Sequence, residues 1–134
     1  MDKNKVYVFR LKPGEDLRRS IEAIVKEKNI EAGWINTCVG SLTDYTIRFA
    51  NQQEGTHGSG HFEIVSLTGT LSVNGSHLHI SISDSEGKTI GGHLLEGCKI
   101  YTTAEIVIGT TTAYEFTRKK DGTTEWEELQ VKEK

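Results

Sequence analysis

The stretch Phe62-Glu63-Ile64-Val65-Ser66-Leu67-Thr68-Gly69-Thr70-Leu71-Ser72-Val73-Asn74-Gly75-Ser76-His77-Leu78-His79-Ile80-Ser81-Ile82-Ser83-Asp84 decides the fold. Its spacing is that of strands, and Asn74-Gly75 divides it in two, because Asn and Gly tolerate the positive φ that a tight hairpin turn demands. Antiparallel strands over residues 62–73 and 77–84 follow, and a third over 89–94 lies beyond a second turn signal, Glu86-Gly87. The same signature continues outward, over 33–42 and 43–50 before this stretch and over 98–110, 114–118 and 126–131 after it. Asp121-Gly122 marks another turn. At the start, Val6-Tyr7-Val8-Phe9-Arg10-Leu11 is β-branched and aromatic and reads as a first strand, stopped by Lys12-Pro13-Gly14.

One segment breaks this pattern. From Asp16 onward Leu17, Ile21, Ile24 and Val25 recur at helical spacing, while Arg18, Arg19, Glu22 and Lys26 fill the other face. That is one amphipathic helix, ending near Asn29. Residues 51–60 are polar and Gly-rich and read as a surface loop able to border a site. The fold class expected is α+β, with one main α-helix packed on a curved, mainly antiparallel β-sheet in a single domain over 1–134.

Composition narrows the function. A chain of 134 residues, 26% charged and 35% hydrophobic with a single Pro, is a folded domain with one core. The formal charge of −3 counts against DNA binding driven by phosphate contacts. The basic run Arg118-Lys119-Lys120 faces the acidic residues 125–128 and reads as a solvated hairpin tip. Nothing at the start resembles a signal peptide, and no segment approaches the roughly 20 apolar residues that span a bilayer. Cys38 and Cys98 sit in apolar stretches without Cys-x-x-Cys spacing, which makes them buried free thiols. The cytoplasm is the expected compartment. Serine nucleophile elbows, Walker-type phosphate loops and dinucleotide fingerprints are all missing.

Three of the five histidines fall close together. His77 and His79 are two apart on one strand and so share a face, and a hairpin partner brings His93 between them. Three imidazoles with a fourth position left open suit Zn²⁺, and also Fe or Ni. Gly91-Gly92 removes bulk ahead of His93, and Glu96 could add a carboxylate ligand or orient a histidine. Against this stands a plainer possibility, a chance His-x-His pair on a half-exposed strand with His93 packed inside. His57 on the polar loop and His61 at a strand start carry less weight.

The order of motifs resembles a known family. Gly40-Ser41-Leu42-Thr43-Asp44, the run from Arg48-Phe49-Ala50-Asn51 to Thr56-His57, and Gly60-His61-Phe62-Glu63-Ile64-Val65 are similar to motifs of the PPC (plant and prokaryote conserved) domain. Leu67-Thr68-Gly69-Thr70-Leu71, His77-Leu78-His79-Ile80-Ser81, Gly91-Gly92-His93-Leu94 and Thr102-Thr103-Ala104-Glu105 continue in the family's order. The resemblance implies a homotrimer, and metal at His77, His79 and His93. Plant relatives are nuclear DNA-binding regulators that use an AT-hook with an Arg-Gly-Arg-Pro core, which this sequence lacks. They also carry Arg where this chain has His61, in a segment that contacts partner proteins.

Two functions are therefore expected as alternatives. One is an oligomeric regulatory module that holds a metal and reaches DNA through protein partners. The other is a small zinc-dependent enzyme, with Glu96 or Glu105 moving protons, Arg48 holding an anionic substrate, and Asn51 or Glu54 approaching from the loop.

Overall fold

The computed structural model describes residues 2–134. Strand β1 (Asn4–Leu11) leads into helix α1 (Leu17–Glu27), and Asp16 starts that helix with both carboxylate oxygens. One accepts from the Arg19 N–H at 3.0 Å, as an N-cap should, and the other accepts from the Gly97 N–H at 2.8 Å, tying the helix start to a distant loop. Leu17, Ile21 and Val25 are buried, as the spacing predicts, and Ile24 is half-buried. Asn29 takes φ 50, and the following Ile30 N–H returns to the Val25 carbonyl at 2.9 Å, closing the helix.

The remaining elements are strands: β2 (Gly33–Arg48), β3 (Thr56–Leu71), β4 (His77–Ser83), β5 (Thr89–Leu94), β6 (Lys99–Thr111), β7 (Tyr114–Lys119) and β8 (Glu128–Glu133). Five of them join β1 in one antiparallel sheet in the order β1-β6-β2-β3-β4-β5. The far end of β2 also pairs with β5, Ile47 with Leu94 and Arg48 with His93, so β2, β3, β4 and β5 close into a small ring. The turns at Asn74-Gly75 and Glu86-Gly87 form where the sequence places them, with φ 129 at Gly75 and φ 82 at Gly87. Fully buried Leu42, Ile47, Leu71, Ile82, Leu94 and Ile106 fill the core together with the helix. Each contributes about 1.5–3 kcal/mol of hydrophobic stabilisation. Among the described residues no helix is long and apolar enough to cross a membrane.

The structure corrects the sequence reading in three places. The two strands expected over 33–42 and 43–50 are one strand that ends at Arg48, kinked by a register shift between Leu42 and Asp44; a bulge bends a strand without ending it. The polar loop is shorter than 51–60, because Thr56, His57, Gly58 and Ser59 pair with Ile47, Thr46, Tyr45 and Asp44. A Cβ on Gly58 would lie 2.5 Å from the Tyr45 ring, so the glycine there makes room for an aromatic neighbour. The final hairpin, β7 with β8, stands apart as its own two-stranded sheet. It is tethered by Phe116, whose N–H donates to Glu31 O at 2.9 Å and whose carbonyl accepts from Ser72 Oγ and Asn74 Nδ2.

Cys38 and Cys98 are buried free thiols, as expected. Burial pushes their pKa up to about 12 and about 11. The sheet surface turned to solvent carries exposed apolar side chains, Val8 at 74% and Val39 and Val65 at 57% among them.

Candidate metal centre

Strand pairing builds the site. His79 lies directly opposite His93 on β5 and opposite Thr68 on β3, while Arg48 lies opposite His93 from β2. Directly paired residues share a face, so Arg48, His93, His79 and Thr68 form one row across four strands. His77, two residues before His79 and opposite Thr70, stands in the adjacent row on that face. Alternating with them, Leu78 and Ile80 point into the core, so burial of the apolar residues fixes the direction of the histidines.

The three rings converge. His77 Nε2 and His79 Nε2 are 3.1 Å apart, and one ring nitrogen from each of His77, His79 and His93 lies within 4.8 Å of the others. Ligand nitrogens around a tetrahedral Zn²⁺ stand about 3.3 Å apart, given Zn–N bonds of about 2.0–2.1 Å. The spacing and the donor type therefore fit a zinc-like ion. Ligation also needs neutral imidazoles. Partial burial, reinforced by His79, Arg118 and Arg48 nearby, lowers the pKa of His77. Burial and the Arg48 guanidinium bring that of His93 down to about 4.

Gly91 and Gly92 serve the backbone. A Cβ on Gly92 would lie 2.4 Å from the Arg48 carbonyl oxygen, and one on Gly91 2.6 Å from that of Ile80. Both glycines let β5 fit between β2 and β4.

A cavity of about 680 Å³ opens beside His77 and His93, with Arg48, Arg118, Trp126 and Glu128 on its other sides. Arg48 stacks over Trp126, its Cζ 5.6 Å from the ring centroid. Sequence reasoning missed Arg118 here. It is half-buried rather than a solvated tip residue, and its Nη2 donates to Thr70 Oγ1 at 3.0 Å. The hairpin that carries Arg118 and Trp126 docks through the Phe116 backbone, which bonds to the Glu31 carbonyl and the Ser72 hydroxyl, and no local pattern signals such long-range tethers.

Other candidates lie elsewhere. Glu96 pairs with Arg19 at 3.2 Å and is not among the clustered ligand groups. Asn51, Glu54 and Glu105 do not line the cavity. Asn51 occupies a turn with φ 59, and Glu105 faces Arg10 on the opposite strand. His57 Nδ1 and Thr46 Oγ1 lie 3.2 Å apart, and His61 stacks on Tyr101 with centroids at 4.3 Å.

Comparison with known proteins bears on this geometry. Residues 1–112 match the family described as the Plants and Prokaryotes Conserved (PCC) domain, a match that ends before β7. The chain is 42% identical over 127 residues to a protein from a Synechococcus strain named bifunctional protein GlmU, covering 95% of this chain and 20% of that one. It thus spans about a fifth of that relative's length. A hypothetical protein from Salmonella has the same fold, with a TM-score of 0.95 at 38% identity, covering 99% of this chain and 96% of its own. A protein from Archaeoglobus fulgidus described as metal-containing superposes with a TM-score of 0.79 at 26% identity, covering 94% and 93%.

Proposed function

Because this chain belongs to the Plants and Prokaryotes Conserved domain family, we propose that it is a self-associating metal-binding module in which His77, His79 and His93 hold Zn²⁺ or another divalent transition ion. The observation that carries this reading is the convergence of three imidazole nitrogens within 4.8 Å on one sheet face. The description of the Archaeoglobus protein as metal-containing supports it. When bound, the ion would supply Lewis acidity at a position left open by three protein ligands.

Self-association, as a homotrimer, is supported by the exposed valines of the outer sheet face, which a second copy would cover. The module works in the cytoplasm, a compartment that suits its two free thiols. A net charge of −3 and the missing AT-hook argue that any approach to DNA runs through partner proteins. The second reading, a small zinc-dependent enzyme, draws on the cavity beside His77 and His93, where Glu128 supplies a carboxylate.

Elemental analysis of the purified, tag-free protein tests the metal reading. Near-stoichiometric metal is expected, lost in a folded variant carrying His77→Ala, His79→Ala and His93→Ala. Absence of metal from both proteins would remove the reading, and sedimentation of each gives the oligomeric state.

A further inference from the structure

The cavity beside the histidines brings two guanidinium groups to the side of the candidate ion. Three neutral imidazoles leave a divalent ion its full charge, and Arg48 and Arg118 stand on the same cavity. Lys120 lines the cavity as well, and Glu125, Glu127 and Glu128 match the three cations charge for charge, so the ion's own two charges are what the lining leaves uncompensated. The arginines also have unused donors. Among the described residues the Arg48 side chain enters no ion pair and stacks only on Trp126. Arg118 is held by one bond to Thr70, and its Nε is buried without any partner. A buried guanidinium N–H left unpaired is destabilising, and an incoming acceptor would relieve it.

We propose that the cavity binds a small organic oxyanion, a carboxylate or phosphate, with one oxygen at the open position of the metal and the others taken by Arg48 and Arg118. This rests on the metal reading given above. Guanidinium groups match such anions through paired N–H donors. Trp126 covers the ligand from the hairpin side and holds Arg48 in place by stacking. Arg118 and Trp126 both follow residue 112, where the family match ends, so the ligand's fit depends on a part of the chain outside the shared domain.

The test uses protein loaded with Co²⁺, whose visible bands report on the ligand at the open position. Inorganic phosphate is titrated in one arm and acetate in the other. A saturable spectral change is expected in at least one arm, and the tighter arm identifies the anion. Arg48→Gln and Arg118→Gln should each weaken it about tenfold, the loss of one charge-assisted contact, with Co²⁺ content unchanged. Full loading with no response to either anion, or variants that titrate like the parent, would overturn the proposal. Failure to load Co²⁺ would instead sink the metal reading. Calorimetric titration of both anions into the metal-free protein then decides the pocket: heat lost in Arg48→Gln but retained in His77→Ala supports it, and absence of heat overturns it.

Discussion

Arg48 and His93 are directly paired where β2 meets β5, so the contact that closes the ring of strands also sets a guanidinium beside a candidate metal ligand. Closure and site are mechanically one feature. Gly92 tests this, since an added Cβ would meet the Arg48 carbonyl oxygen at 2.4 Å and Ile47 Cγ2 at 2.9 Å. Gly92→Ala should cost about 1–3 kcal/mol in urea unfolding of the metal-free protein, the usual range for overpacking. Zinc affinity should fall with it. Unchanged affinity in a destabilised variant would uncouple the site from the closure.

The helix start offers a separate test. Asp16 accepts from Arg19 N and Gly97 N, and its side chain is only 8% exposed. Asp16→Ala removes the N-cap, worth roughly 1 kcal/mol, and strands the Gly97 N–H, for about 1–3 kcal/mol more. Asp16→Asn, which keeps one acceptor, should recover part of the loss. Chemical denaturation of the three proteins measures both differences.

The thiols predict alkaline behaviour. Cys38 and Cys98 have pKa values of about 12 and about 11 against an ordinary 9.0. Below pH 9 both states hold these protons, and the thiols do not affect how stability varies with pH. Above it the unfolded chain releases them first, so stability should fall as pH climbs from about 9, the Cys98 share being lost by about 11 and the Cys38 share by about 12. In neutral buffer both should resist iodoacetamide until urea is added, as followed by mass spectrometry. Rapid labelling of the folded protein would contradict their burial.

The outer face of the sheet bears on assembly. Val8 is 74% exposed and Tyr101 41%, and a charge introduced there should cost a monomer little. Val8→Glu is expected to lower the sedimenting mass while leaving circular dichroism unchanged. A variant that keeps the parental mass would move the self-contact to another surface.

Much of this was readable in the sequence where physics is local. The alternation of Leu78 and Ile80 with His77 and His79 determined which face the histidines share, and the Glu86-Gly87 turn carried His93 opposite His79. Helix α1 was legible from Leu17, Ile21 and Val25 in the same way. Features set by distant partners were not. The kink at Leu42 and Asp44 needs β3 and β6 on either side, and the pairing of Thr56 to Ser59 depends on a Tyr45 ring that no composition rule anticipates. Glu96 looked available beside His93, yet Arg19 from the helix claims it.

The β1–β6 ladder joins Asn4 to Thr111, and just beyond it Thr112 N–H donates to Lys3 O at 2.9 Å. The polypeptide therefore leaves the domain beside the point where it enters. Lys134 N–H, donating to Ala113 O at 2.9 Å, brings the last hairpin back to the same spot. A unit with adjoining entry and exit can be appended to a host protein, or spliced into one of its loops, without prying the host apart. That portability accords with a Synechococcus relative in which the matching region is a fifth of a much longer polypeptide.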